Sequence, residues 1–140
     1  MAETIHVDIV SAEGEIFSGP AKMVFAPASQ GELGIAPRHA PLLTLLKAGE
    51  VRVQTPDGQE QFFFVGGGAL EVQPKKVTVL ADTALRAKDL DEAAALAAKQ
   101  RAEEALRDKA GQLEQAEALK ELARMNAQLK MIQRLRKTRG

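Results

Sequence analysis

The chain has 140 residues, 45% hydrophobic and 27% charged, a composition that predicts one folded domain with an appendage and excludes a disordered chain or a membrane span. Its 19 basic and 19 acidic side chains cancel, so the whole chain has no charge bias toward nucleic acid or acidic lipid. Cysteine is absent, which excludes disulfides, thiolate nucleophiles and cysteine zinc sites and suits a reducing compartment.

Apolar and polar residues alternate up to about residue 86, with the period of a β-strand. In the first strand Ile5, Val7 and Ile9 would share one face, opposite His6 and Asp8. Further strands are predicted at residues 21–27, 42–47, 50–55, 60–65, 69–73 and 76–81.

Turn-forming residues separate these strands. They occur at Glu13-Gly14, Ser18-Gly19-Pro20, Pro56-Asp57-Gly58, Gly66-Gly67-Gly68 and Gln73-Pro74. Strands 51–55 and 60–65 around Pro-Asp-Gly predict a β-hairpin, and the glycine triplet predicts a tight connection with positive φ. Many short strands at this spacing, with no helical pattern between them, predict a β-sandwich or flattened barrel.

The hydrophobic period changes to that of a helix after the strands. Asp89 is predicted to be the N-cap of a first helix, with Glu92 as its capping-box partner and Gly111 at its end. A second helix is predicted from about residue 115 to residue 136. Its apolar stripe consists of Leu122, Met125, Leu129, Ile132 and Leu135.

The two helices are expected to form an antiparallel hairpin that is held together weakly. The first helix offers mainly alanine where the second offers leucine, so the helices would bury little apolar area. Such a hairpin can leave its folded position and bind elsewhere. The predicted fold class is α+β, with a β-sandwich domain at residues 1–86 and a C-terminal two-helix hairpin at residues 87–140.

Positive charge is concentrated at the C-terminus. Residues 1–86 carry seven basic and ten acidic side chains, whereas residues 87–140 carry twelve and nine, and from Ala123 onward all six charged residues are basic. This segment is either a solvated helix face or a surface that docks onto an acidic protein or nucleic acid. An acidic protein is favoured, because no aromatic residue follows Phe64 to stack on bases.

No residue pattern predicts enzymatic chemistry. His39, beside Arg38, is the obvious catalytic suspect, but a lone histidine without a local Ser, Cys or metal-ligand set is more often structural or interfacial. His6 and His39 are scattered and do not predict a metal site. The glycine triplet leads into a strand rather than a helix N-terminus, which argues against a phosphate loop.

Four segments together carry a resemblance to a known family. They are DIVSAEGEIFSG (8–19), GELGIAPRHAPLLT (31–44), GGALEVQPKKVTVLADTA (67–84) and DLDEA (89–93). In this order, and across nearly the whole chain, they resemble the epsilon subunit of the bacterial F-type ATP synthase, which is called delta in mitochondria. The resemblance implies a sandwich followed by a helical hairpin, which is the architecture that the residue pattern predicts.

The resemblance implies a non-catalytic subunit of the central stalk. The sandwich would join the gamma shaft to the membrane c ring and turn with them as part of the rotor. The hairpin would either fold down or extend into the alpha/beta catalytic head, where it inhibits ATP hydrolysis. The expected partners are therefore gamma, the c ring and the alpha/beta head, and not nucleic acid.

The resemblance also implies interface residues. Glu32, in the segment Gly31-Glu32-Leu33-Gly34, matches an acidic position that contacts polar loops of the c ring, and His39 lies in a region near gamma and the ring. In the extended hairpin, basic residues would face acidic segments of the beta subunits. These residues are Arg124, Lys130, Arg134 and Arg136.

ATP binding is expected to be weak or absent, so no cofactor is predicted. Some family members bind ATP through an Ile/Leu-Asp-x-x-Arg-Ala motif, but here Ala94 replaces the motif arginine. A second arginine is also missing, at Gln128, although Asp91, Arg101 and Arg124 remain as a degenerate site. Each lost guanidinium–phosphate bond removes about 1.5–3 kcal/mol.

The resemblance implies a location at the cytoplasmic face of the bacterial inner membrane, as a peripheral part of the complex. The first residues, MAETIHVDIV, carry acids and lack a basic flank, so no signal peptide is expected. The alternative interpretation is a free-standing binding module whose basic C-terminal helix engages nucleic acid. A third is a small enzyme that uses His39.

Overall fold

The alternating part of the chain forms eight β-strands, and the Ala/Leu-rich remainder forms two helices. The computed structural model describes residues 3–108 and 111–139. The strands are β1 (Ile5–Ser11), β2 (Gly14–Ala21), β3 (Met23–Ala28), β4 (Gly31–Ile35), β5 (Leu42–Gln54), β6 (Glu60–Val72), β7 (Lys76–Ala81) and β8 (Ala84–Arg86). A 3₁₀ turn, Ala87–Asp89, precedes α1 (Glu92–Arg107) and α2 (Gln112–Arg139). The chain divides into two units between Lys88 and Asp89.

The strands form a β-sandwich, as predicted. Their order is β2-β1-β7-β6-β5-β3-β4, with β8 paired to β6 off this path. β1 and β7 run parallel, and the other paired strands run antiparallel. Residues 68–72 of β6 pair with β7, whereas residues 63–65 pair with β8. The long strand β6 therefore pairs with two different strands along its length, in addition to β5.

Inward-facing side chains of the strands form the core of the sandwich. Ile5, Val7 and Ile9 are fully buried, as the alternation in β1 predicts. Phe17 and Phe63 meet edge to face, with ring centroids 5.4 Å apart. Each buried Val, Ile or Phe side chain contributes about 1.5–3 kcal/mol by leaving water. The sandwich is therefore a firm frame for its surface residues.

Four predicted strands merge into two long ones. Residues 42–47 and 50–55 fall in β5, and residues 60–65 and 69–73 fall in β6. The glycine triplet thus lies inside β6 and does not connect two strands, although Gly67 and Gly68 have the predicted positive φ, at 107° and 137°. A Cβ on Gly68 would lie 2.1 Å from the carbonyl oxygen of Leu80. Only glycine fits where β6 passes β7.

The strands β2, β4 and β8 are not predicted from the sequence. The Ser18-Gly19-Pro20 turn prediction is wrong, because these residues continue β2. β2 lies at one end of the sheet order, and an edge strand accommodates a proline that cannot donate to a neighbour.

The hairpin predicted around Pro56-Asp57-Gly58 is confirmed. It joins β5 to β6, which pair from Gln54 opposite Glu60. The N–H of Thr55 donates to the carbonyl of Gln59 at 2.8 Å. Gly58 adopts a φ of 87°, a value that favours glycine.

The N-cap of α1 is Asp91 and not Asp89. Asp91 has an extended backbone, with φ −124° and ψ 110°, and its carboxylate accepts a hydrogen bond from the N–H of Ala94 at 3.2 Å. Asp89 lies in the preceding 3₁₀ turn. Three residues after each aspartate, Glu92 and Ala94 have a backbone N–H that could donate to the capping carboxylate. The spacing alone therefore does not choose between the two aspartates.

Gly111 does not end the first helix, which ends at Arg107 with Asp108 as its C-cap. The carbonyl of Gly111 instead accepts the N–H of Gln115 at 3.0 Å, at the start of α2. α2 is also longer than predicted at both ends, since it spans Gln112–Arg139.

The two helices pack through small side chains, as predicted. Ala95 and Ala98 of α1 form a buried cluster with Met125 of α2, and Leu129 packs against it. Alanine removes little apolar surface from water when it is buried. The hairpin is antiparallel, because Glu92 at the start of α1 contacts Arg136 near the end of α2.

Candidate functional site

Strand β4 carries three of the predicted interface residues at one end of the sheet. Gly31 opens the strand with a φ of 134°. Side chains alternate along a strand, so Glu32 and Gly34 face away from the core into which Ile35 is buried. Glu32 is exposed and lies opposite Pro27 of β3. Its carboxylate is therefore presented at the outer surface.

Gly34 provides room for an aromatic side chain. A Cβ at this position would lie 3.2 Å from the ring of Phe25. The guanidinium of Arg52 stacks on the same ring, 4.2 Å from its centroid, and Arg52 Nε lies 3.3 Å from the Glu60 carboxylate. The packing role of Gly34 leaves Glu32 as the side chain of this strand that can reach a partner.

The loop at residues 36–41 is held in shape through Arg38. Arg38 has a φ of 68°, which is uncommon for a residue with a side chain. Its N–H donates to the carbonyl of Pro74 at 2.9 Å, and its guanidinium lies 2.7 Å from Glu3. His39 is half-buried, and its Nδ1 donates to the carbonyl of Ala40 at 2.7 Å. Within the described residues, this imidazole hydrogen-bonds to backbone and to no acid or nucleophile.

An exposed apolar surface lies on the outer face of the sheet, directly after this loop. Leu43, Leu45 and Leu80 have 74%, 68% and 53% of their surface exposed. The strand registers place Leu45 opposite Ala69, Ala69 opposite Leu80, and Leu80 beside Val10. We call these five residues the leucine patch. Contiguous exposed apolar surface of this kind marks an interaction site.

The leucine patch is an exposed apolar surface that the sequence analysis missed. The signal was present in the run Leu42-Leu43-Thr44-Leu45-Leu46, which is apolar on both faces of a strand. Only Leu42 and Leu46 of its leucines contribute to the core. Such a run predicts a strand whose outer face is also covered.

A polar cluster lies on β1, β2 and β7. The Asp8 carboxylate accepts from the Ser18 hydroxyl at 2.7 Å, and it lies 3.0 Å from Lys76 Nζ and 2.8 Å from His6 Nε2. The Ser18 hydrogen bond, with those from Lys76 and His6, lowers the pKa of Asp8 to about 2. The Ser18 hydroxyl donates its hydrogen bond to Asp8, so His6 does not activate this hydroxyl as a histidine does in a hydrolase triad.

The four predicted contact cations lie between the middle and the end of α2. At about 100° per residue, Arg124, Lys130, Arg134 and Arg136 do not share one helix face. Arg136 Nη2 donates to the Glu92 carboxylate of α1, and Arg124 Nη1 lies 3.7 Å from Glu121. Lys130 is exposed, and Arg134 is half-buried.

The residues of the degenerate ATP site are spread along the hairpin. Asp91 caps α1 through the N–H of Ala94. Arg101 lies ten residues further along, about 15 Å at the rise of an α-helix. Arg101 lines a cleft with Glu114, Glu117 and Glu121 of α2, and three carboxylates are an unfavourable environment for a phosphate.

Metal-ligand clusters and membrane-spanning helices are both absent from the residues that the structure describes. In residues 3–108 and 111–139, no group of three His, Cys, Asp or Glu side chains is placed to hold a metal ion. In the same part of the chain, no helix is both long enough and apolar enough to cross a membrane.

Both parts of the chain match known family models. Residues 4–87 match the ATP synthase delta/epsilon chain β-sandwich domain, and residues 88–133 match the delta/epsilon long α-helix domain. The chain belongs to the ATP synthase delta/epsilon family. The family predicted from the four sequence segments is thereby confirmed.

Relatives match the chain over its full length. It is 69% identical over 140 residues to the ATP synthase epsilon chain of Nitrosococcus oceani, and the match covers 100% of each chain. It is 61% identical to the ATP synthase epsilon chain of Alkalilimnicola ehrlichii, with 96% of each chain covered. It is 60% identical to ATP synthase epsilon chain 1 of Methylococcus capsulatus, with 100% of each chain covered.

Solved structures share the fold of this delta/epsilon family member. A chain in the Euglena gracilis mitochondrial ATP synthase, OSCP/F1/c-ring, superposes with a TM-score of 0.77 at 16% identity, covering 89% of this chain and 78% of that one. A chain in the Tetrahymena thermophila mitochondrial ATP synthase central stalk/c-ring gives a TM-score of 0.66 at 13% identity, covering 93% and 97%. At these identities the likeness shows the fold.

Proposed function

We propose that this chain is a non-catalytic rotor subunit of a proton-translocating F-type ATP synthase, in which the sandwich joins the gamma shaft to the c ring. The single observation that carries the proposal is the leucine patch, in a family member that matches ATP synthase epsilon chains end to end. Three leucines that are more than half exposed on a firm sheet need a partner to cover them. The gamma shaft docks on this patch.

The c ring contacts the neighbouring edge of the sandwich. Glu32 presents a carboxylate there, and the loop with His39 is shaped by the Arg38 contacts to Pro74 and Glu3. A carboxylate suits polar loops with hydrogen-bond donors. Because Leu43 follows this loop within a few residues, one side of the sandwich serves both partners.

The hairpin inhibits ATP hydrolysis by leaving its folded position and extending into the alpha/beta head. Its small alanine interface supports this role, since a hairpin with little buried apolar area opens at low cost. In the extended state Arg124, Lys130, Arg134 and Arg136 contact acidic segments of the beta subunits. The spread of these cations over several helix faces suits a helix that is surrounded by other subunits.

The complex lies at the cytoplasmic face of the bacterial inner membrane, and this chain is a peripheral part of it. ATP binding to the chain is weak or absent, because Ala94 replaces the motif arginine and Asp91 and Arg101 are far apart on α1. Titration of the purified chain with ATP tests this statement, and micromolar affinity would contradict it.

Co-purification with the gamma subunit tests the rotor proposal. Leu45→Asp should weaken the complex at least about tenfold, because it removes the apolar contact of one leucine and buries a charge. Leu113→Asp is the matched control, since Leu113 is 78% exposed on α2 and should not affect gamma binding. The wild-type complex should persist at high salt, because the contact is apolar.

Two results would overturn the rotor proposal. One is unchanged gamma binding by the Leu45→Asp variant. The other is a salt-sensitive complex with DNA or RNA in place of gamma, which would favour a nucleic-acid-binding module.

A further inference from the structure

The acidic start of α1 and the cationic end of α2 meet in the folded hairpin. Arg136 Nη2 donates to the carboxylate of Glu92, and this ion pair joins the first turn of α1 to the last part of α2. Asp89 and Asp91 add two carboxylates to the same acidic segment. A negative charge at a helix N-terminus and a positive charge near a C-terminus are both favourable to the helix dipoles.

At the opposite end of the hairpin, one cation of α1 lies beside carboxylates of α2. There α2 begins with Glu114, Glu117 and Glu121, which line a cleft together with Arg101 of α1. Arg101 of α1 is thus placed near carboxylates of α2, as Arg136 of α2 is placed against Glu92 of α1. Because the apolar interface is made largely of alanine and buries little surface, the exposed Glu92–Arg136 pair, although weak as surface ion pairs are, shifts the balance between closed and open hairpin.

We propose that the acidic start of α1, with Glu92 as its contact residue, is a built-in substitute for the acidic surface that the end of α2 binds in the assembled complex. Extension of the hairpin separates Arg136 from Glu92, so the contact with Glu92 and the contact with an acidic partner in the extended state compete. The Glu92–Arg136 pair thus acts as a latch that keeps the hairpin closed. The identity of the competing partner rests on the proposed function, whereas the latch itself is a property of the free chain.

Distance measurements on the full-length chain test the latch directly. The chain has no cysteine, so spin labels can be attached to Ala97→Cys on α1 and Gln133→Cys on α2, both at exposed positions. Pulsed electron resonance then gives the fractions of closed and open hairpin. Glu92→Gln and Arg136→Gln should each raise the ratio of open to closed hairpin about two- to fivefold, the range expected for an exposed ion pair.

The controls separate the latch from general charge effects. Lys137→Gln removes the same charge from the neighbouring residue and should leave the ratio unchanged. Glu92→Gln should add nothing in an Arg136→Gln background, whereas an effect through the helix dipole alone would persist there. High salt should open the wild-type hairpin and have less effect on either variant. An unchanged ratio in Glu92→Gln, or an equal change in Lys137→Gln, would overturn the latch.

Hydrolysis by the assembled complex distinguishes failure of the latch from failure of the proposed function. Glu92→Gln should deepen inhibition of ATP hydrolysis, since it frees Arg136 for the acidic partner. Arg136→Gln should deepen it less, because the same change removes the cation that the partner binds. If the free hairpin opens in both variants and hydrolysis does not respond, the latch stands and the proposed inhibition fails.

Discussion

The sandwich and the hairpin are stabilised by different kinds of contact. The sandwich buries β-branched and aromatic side chains, including Ile9 and Phe63, in its core. The hairpin buries alanines against Met125 and ties its open end with an exposed ion pair. Apolar burial is not screened by salt, whereas an exposed ion pair contributes about 0.2–1 kcal/mol and is screened. The sandwich is therefore expected to keep its shape under conditions that weaken the contacts of the hairpin.

Among the variants that test this difference, Gly68→Ala in the sandwich is expected to change the free energy of unfolding most. A Cβ there would approach the carbonyl oxygen of Leu80 to 2.1 Å at a φ of 137°, so the variant should lose about 3 kcal/mol or more of unfolding free energy. Gly111→Ala at the start of α2 is the control, because a Cβ there meets nothing within 4 Å. Denaturant unfolding followed by circular dichroism measures both, and equal stability of the two variants would contradict the packing described for β6.

A smaller effect is expected from Asp8→Asn. The folded-state pKa of about 2 lies below the ordinary value of 3.8, so this group stabilises the sandwich above about pH 4 and loses that contribution as the pH falls toward 2. The variant should be about 1–2 kcal/mol less stable than the wild type at pH 7. Between pH 4 and pH 2 it should lose less stability than the wild type does. Glu71→Gln, on an exposed position of β6, should leave the pH profile unchanged. A profile shared by wild type and Asp8→Asn would exclude the polar cluster as a source of stability.

The smallest effect is expected from Asp91→Ala in the hairpin. This change removes the carboxylate that accepts the N–H of Ala94, and it should destabilise α1 by about 1 kcal/mol. Hydrogen exchange of the α1 amides should report the loss, while the amides of β6 remain protected. Asp89→Ala should have a smaller effect, and the reverse order would return the cap to Asp89.

Periodicity predicts the parts of the fold in which local pattern and burial agree. The alternation in β1 gives its buried face, and the Pro-Asp-Gly turn gives the β5–β6 hairpin. Prediction from periodicity fails where strand pairing in the folded protein overrides the local sequence signal. Pro20 looks like a turn residue but lies in β2, an edge strand. The backbone N–H groups on the outer side of an edge strand have no neighbouring strand to donate to, so a proline is tolerated there.

The proposed interface surfaces were only partly visible in the sequence. Glu32 could be singled out by resemblance, but the packing of Gly34 on Phe25 depends on the pairing of β3 with β4. The leucine patch is assembled from four strands, and only the strand registers bring Leu45 and Leu80 into one row. The Glu92–Arg136 pair likewise joins residues that are far apart in the sequence and meet when α2 folds back on α1.

Removal of the hairpin tests the division of roles most directly. A chain that ends before Asp89 retains every strand of the sandwich and the whole leucine patch. In the assembled complex this truncation should leave gamma binding and proton-coupled ATP synthesis in place and should raise ATP hydrolysis above that of the full-length complex. Hydrolysis equal to that of the full-length complex, with assembly intact, would contradict an inhibitory hairpin.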